Sequence, residues 1–71
     1  MRFSHHESGG GVVKLTPAEA EVVGHAVRGL TNKQIARALR KSELTVRNQL
    51  TAVYRKLGLK RRLQLIAQFR A

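Results

Sequence analysis

The 71 residues contain no cysteine. That excludes a disulfide framework, a cysteine zinc site and a thiol nucleophile, and it fits a reducing compartment. Carboxylates are nearly as scarce: Glu7, Glu19, Glu21 and Glu43 are the only four. Two of them stand in cap-like places, which leaves no paired carboxylates for general acid–base work and no cluster for a metal. Neither an enzyme nor a bound cofactor is expected. The aromatic residues are Phe3, Tyr54 and Phe69 alone, too few stacking rings for a typical single-stranded nucleic acid binder. No apolar run approaches the ~20 residues that span a bilayer, and the N-terminus lacks the apolar segment of a signal peptide. The expectation is a cytoplasmic protein without a membrane partner. A chain of this size forms at most one domain, whose marginal core a dimer partner or DNA would reinforce.

Positive charge is what the sequence has in excess. The net charge is +10, and it is unevenly placed. Residues 1–30 balance Arg2, Lys14 and Arg28 against Glu7, Glu19 and Glu21, whereas residues 31–71 set eleven lysines and arginines against Glu43 alone. A half so cationic repels itself unless a polyanion screens it; nucleic acid and an anionic membrane surface are the two candidates.

Residues 1–13 read as a flexible tail or linker. Gly9, Gly10 and Gly11 form a joint, and the polar residues before them offer no core. His5 and His6 lack a third ligand, so a tail fits them better than a metal site. The tail also suits a linker to a further domain.

Helical signals begin at Leu15. Thr16 suits an N-cap, Pro17 the first helical position, and Glu19 completes a Thr-x-x-Glu capping box. Glu19 and Glu21 are expected in the first turn, where the helix dipole favours them. Val22, Val23, Ala26 and Val27 give an apolar stripe, and Gly29 is the expected left-handed stop. His25 reads as structural or exposed. A second box, Thr31-x-x-Gln34, opens a short helix over residues 32–39 with Ile35, Ala36 and Leu39 inward. Ala36 is small enough to let the next helix cross closely. Arg40 and Lys41 make a tight turn, and Ser42 is the next N-cap.

Residues 43–57 form a longer helix with two different faces. Val46, Leu50, Val53, Tyr54 and Leu57 recur at helical spacing as one narrow apolar stripe. Arg47, Asn48, Thr51 and Arg55 lie opposite, without a carboxylate among them. A guanidinium, an amide and a hydroxyl on successive turns are the groups that read base edges and hold phosphates; a plain basic surface helix would show the same residues. A short capped helix, a three-residue turn and a longer two-faced helix together make a helix-turn-helix, whose second helix enters a major groove N-terminus first. Gly58 stops it and Leu59 returns to the core. A last helix over about residues 61–70 is apolar on two sides, Leu63, Ile66 and Ala67 on one and Leu65 and Phe69 on the other. Only one side can face inward, so the other is an expected protein contact or a pair of tolerated surface residues.

These residues carry a family resemblance. Leu15-Thr16-Pro17, Glu19, Glu21-Val22-Val23, the run from Gly29 to Ala36, Leu39, Ser42-Glu43, Thr45-Val46-Arg47-Asn48, Leu50 and Lys56-Leu57-Gly58-Leu59 resemble the LuxR/GerE-type DNA-binding domain. The resemblance covers residues 14–71 without a gap, with the helix-turn-helix at about 31–50. It implies an all-α, four-helix domain that binds double-stranded DNA as a homodimer and regulates bacterial transcription. By the same resemblance Arg47, Asn48 and Thr51 face bases, and Asn32, Lys33, Lys41, Ser42, Thr45, Arg55 and Lys56 hold phosphates. The last helix is the implied dimer interface, through Leu65, Phe69 and Arg62.

Three positions depart from the family pattern. Gln49 replaces a common histidine, and Arg61 stands where Ser or Asn usually caps the last helix, so a ragged start is expected there. Leu44, in place of a polar or basic residue, lies on the DNA side, where it contacts a thymine methyl or is simply exposed. Nothing resembles a receiver or ligand-sensing domain, which leaves an excised domain or a small stand-alone regulator. Three other functions remain open: a sigma region-four-like module contacting RNA polymerase, a protein-interaction module pairing through the last helix with a full-length regulator, and a nonspecific architectural binder.

Overall fold

The computed structural model describes residues 14–70, apart from the side chain of Arg70. The expectations for residues 1–13, including His5 and His6, lie outside the described residues. Four helices follow in order: α1 (Pro17–Val27), α2 (Asn32–Leu39), α3 (Glu43–Leu57) and α4 (Arg62–Arg70). The described residues contain no strand.

Local chemistry sets the ends of these helices. Thr16 caps α1 by accepting from the Glu19 amide at 3.1 Å, while Glu19 Oε1 accepts from the Thr16 amide at 2.9 Å. Thr31 and Gln34 repeat the box on α2 at 3.1 and 2.8 Å. Each pair satisfies two amides that the helix start leaves without partners. Ser42 caps α3 through the Thr45 amide. Glu21, five residues into α1, lies beyond the first turn and is exposed; Glu19 alone meets the dipole there.

The three connections share one geometry. After α1, α2 and α3 the amides of Leu30, Lys41 and Leu59 bond back to the carbonyls of His25, Ala36 and Tyr54. Each is a Schellman closure, which needs a left-handed residue just past the helix. Gly29 (φ 96°) and Gly58 (φ 71°) supply it as expected. Between α2 and α3 the residue is Arg40, at φ 58° and ψ 49°, a conformation that costs a residue with a Cβ about 1–2 kcal/mol.

α1 and α2 both pack on α3, and α4 packs on α1. Val22, Val23, Ala26, Ile35, Ala36, Val46, Leu50, Val53 and Leu65 form the core, with Tyr54, Leu57, Leu59 and Phe69 half-buried against it. α3 thus lies in the angle between α1 and α2 with its apolar stripe inward, which turns its polar stripe out.

For α4 the expected orientation is reversed. Leu65 is wholly buried and Phe69 packs against the core, whereas Leu63 on the other side is 71 % exposed. The apolar surface left outward is therefore Leu63 with Ala67 and half-buried Ile66, not Leu65 and Phe69. The helix start is not ragged either. Gln64 Oε1 accepts from the amides of Lys60 at 2.6 Å and Arg61 at 3.2 Å, which is the returning half of a capping box without its hydroxyl.

Candidate nucleic-acid interface

Helical geometry sorts the polar side chains of α3 into two groups. At about 100° per residue, Leu44, Arg47, Asn48, Thr51 and Arg55 fall on the side away from the core. All five are exposed. The four polar ones make no hydrogen bond within the described residues. Leu44, in the first turn, is 58 % exposed.

Thr45, Gln49 and Lys56 fall on one flank, and each is engaged inside the fold. The Ser42 hydroxyl donates to the Thr45 hydroxyl at 3.0 Å. Lys41 Nζ donates to Gln49 Oε1 at 2.9 Å, which ties the turn to the second turn of α3. Lys56 Nζ meets Glu19 Oε1 at 2.7 Å, in the same carboxylate that closes the α1 capping box. Glu19 thus joins the start of α1 to the end of α3.

The expected phosphate contacts do not form one class. Lys33 and Arg55 are exposed and unpaired among the described residues. The Lys56 ammonium donates to Glu19 and so joins the end of α3 to the start of α1. The Asn32 side-chain Oδ1 accepts from the Arg62 guanidinium, which also donates to the Leu30 backbone carbonyl at 3.3 Å. Arg62 accordingly anchors α4 to the corner before α2, although it was expected at a dimer interface. Among the described residues the His25 ring bonds only its own helix, Nδ1 to the Glu21 carbonyl at 3.1 Å.

The Glu19 pair carries a pH dependence. The Lys56 ammonium first, then the Thr16 amide, hold the Glu19 carboxyl below its ordinary value of 4.5, against the opposing effect of burial. A carboxyl lowered on folding adds stability that is fully present above its unfolded value and lost as pH falls through the folded one. Unfolding by urea, followed from neutral pH to well below the ordinary glutamate value of 4.5, is therefore expected to show acid destabilisation on the low side of that value that Glu19→Gln reduces. Parallel loss in both proteins would assign the effect to other carboxyls.

The exposed stripe has the chemistry of base readout. Arg donates two bonds to guanine, Asn pairs with adenine, and a hydroxyl serves either partner. The fifteen residues of α3 make a rod about 22 Å long, which a major groove about 12 Å wide accepts. Among the described residues no helix is long and apolar enough to cross a membrane.

Comparison with known proteins points the same way. Residues 13–69 match the family described as bacterial regulatory proteins, luxR family. An HTH-type transcriptional regulator of Mycobacterium tuberculosis is 52 % identical over 52 residues, which cover 73 % of this chain and 6 % of that protein. The DNA-binding transcriptional activator DevR/DosR of the same species is 44 % identical over 50 residues, covering 70 % and 23 %. The HTH-type transcriptional regulator GfsR of Streptomyces halstedii is 38 % identical over 55 residues, covering 78 % and 23 %. The chain spans less than a quarter of the length of each.

Proposed function

The chain belongs to the luxR family of bacterial regulatory proteins, and from that membership we propose that it is a sequence-specific, double-stranded DNA-binding module of a transcriptional regulator. The reading rests chiefly on one observation. The side chains of Arg47, Asn48, Thr51 and Arg55 are left without partners among the described residues on one face of α3, while the polar groups beside them are engaged in holding that helix. Arg47, Asn48 and Thr51 face base edges, with Leu44 ahead of them in the first turn. Lys33, Lys41 and Arg55 hold phosphates, aided by the hydroxyls of Ser42 and Thr45. Cationic contacts supply most of the affinity, and the base-facing residues supply the choice of sequence. Such a module works in the bacterial cytoplasm, where its DNA is.

One groove helix reads too few base pairs to single out a site, so the module acts as a homodimer on a dyad. The exposed side of α4 is the surface for it: Leu63 with Ala67 and Ile66. Leu63→Glu is expected to leave the fold intact and abolish association in sedimentation. A variant as associated as the wild type would remove α4 from the interface.

The test of function is a binding selection from a random duplex pool at near-physiological salt. Enrichment of two inverted half-sites about one helical turn apart is expected. Salt-sensitive binding with no enriched sequence would replace this reading by a nonspecific architectural role.

A further inference from the structure

Gln49 is a polar residue of α3 to which the function above gives no task. It is half-buried between the polar face and the core, as is Lys41 in the turn. Lys41 Nζ donates to its Oε1 at 2.9 Å. An ammonium can only donate, so this bond fixes the amide: the oxygen points to Lys41 and the –NH2 points away. That –NH2 meets no acceptor among the described residues, and the ammonium keeps two further N–H groups. Lys41 is itself set in place, since its amide bonds the Ala36 carbonyl at 2.9 Å in the closure that Arg40 makes possible.

Two open donors therefore sit together on one flank of α3. The flank is where a sugar–phosphate strand passes when a helix lies in the major groove. Its other polar groups each make one bond inside the fold, Thr45 accepting from Ser42 and Lys56 donating to Glu19. A free lysine loses side-chain freedom when it grips a phosphate. Here the stem is already held by Gln49.

We propose that Lys41 and Gln49 form one two-donor clamp for a single backbone phosphate of duplex DNA, in which Gln49 both positions the ammonium and donates to a second oxygen. The clamp rests on the reading of α3 as the groove helix. Gln49 is thus a positioning residue for Lys41 as well as a contact of its own.

The experiment measures duplex affinity of the full chain against salt, on a duplex enriched by selection and on copies carrying one neutral methylphosphonate linkage at each position in turn. For the wild type one linkage on this flank is expected to weaken binding about tenfold. Lys41→Met should lower the salt slope by about one and make that same linkage silent. Gln49→Met should leave the slope unchanged, because no charge is lost, yet reduce the penalty at that linkage. Gln49→Glu keeps an acceptor for Lys41 and hence the strap, but it sets a carboxylate against the phosphate. It should weaken the natural duplex and spare the neutral one. Circular dichroism confirms that each variant is folded, and Gln49→Glu decides if Gln49→Met is not. An unchanged slope in Lys41→Met, or different linkages for the two residues, would reduce the bond to a structural strap. A wild type without salt-dependent duplex binding would instead overturn the DNA reading itself.

Discussion

Leu65→Ala is expected to destabilise the protein by about 2–5 kcal/mol, the range for removing a buried leucine and leaving a cavity. Leu65 is wholly buried, and among the described residues it is the one member of α4 in the fully buried core. A domain this small has only a few kcal/mol of stability in total, so the variant should be largely unfolded in dilute solution. Leu63→Ala, two residues away and 71 % exposed, should change stability by no more than about 0.5 kcal/mol. Urea unfolding followed by circular dichroism separates the two. Equal midpoints would mean that Leu65 does not hold α4 to α1. The contrast also governs how association is tested. A change at Leu65, or at Phe69 against the core, abolishes a dimer simply by unfolding the subunit, whereas Leu63 tests the surface alone.

Why this reversal was hidden in the sequence has a simple geometric cause. Leu65 and Phe69 stand four apart, and Leu63, Ile66 and Ala67 stand three and four apart. Each set makes a valid helical stripe, so periodicity cannot choose between them. The choice depends on the angle at which α4 meets α1, a relation between distant segments. The elements that were legible are the local ones. Thr16-x-x-Glu19 and Thr31-x-x-Gln34 mark helix starts because the partners lie three residues apart. The apolar stripe of α3 is legible because a single helix carries it whole, and so is the outward stripe opposite. Bonds between distant residues left no trace. Lys56 reads as a free cation until Glu19, 37 positions earlier, is placed beside it. Arg62 reads as a surface arginine until Asn32, 30 positions earlier, takes its guanidinium. Arg40 gave no sign of its left-handed conformation, since a glycine is the usual marker and none stands there.

Those engaged residues sharpen what to expect of Arg47. It has no partner among the described residues and is exposed, so removing it disturbs nothing inside the fold. Arg47→Ala should therefore cost about 1–3 kcal/mol on the selected duplex, and preference should relax at one base pair. Fluorescence anisotropy on that duplex, on copies with each pair exchanged, and on a random duplex gives the comparison. At the pair that Arg47 reads, exchange should cost the wild type about 1–3 kcal/mol and cost the variant little. Arg47→Lys should keep the salt slope but recover only part of the preference, because an ammonium lacks the planar fork that bonds guanine twice. Lys33→Ala provides the opposite pattern, weakening every duplex alike and lowering the slope by about one. If Arg47→Ala behaves as Lys33→Ala does, Arg47 holds the backbone, and the choice of sequence passes to Asn48 and Thr51.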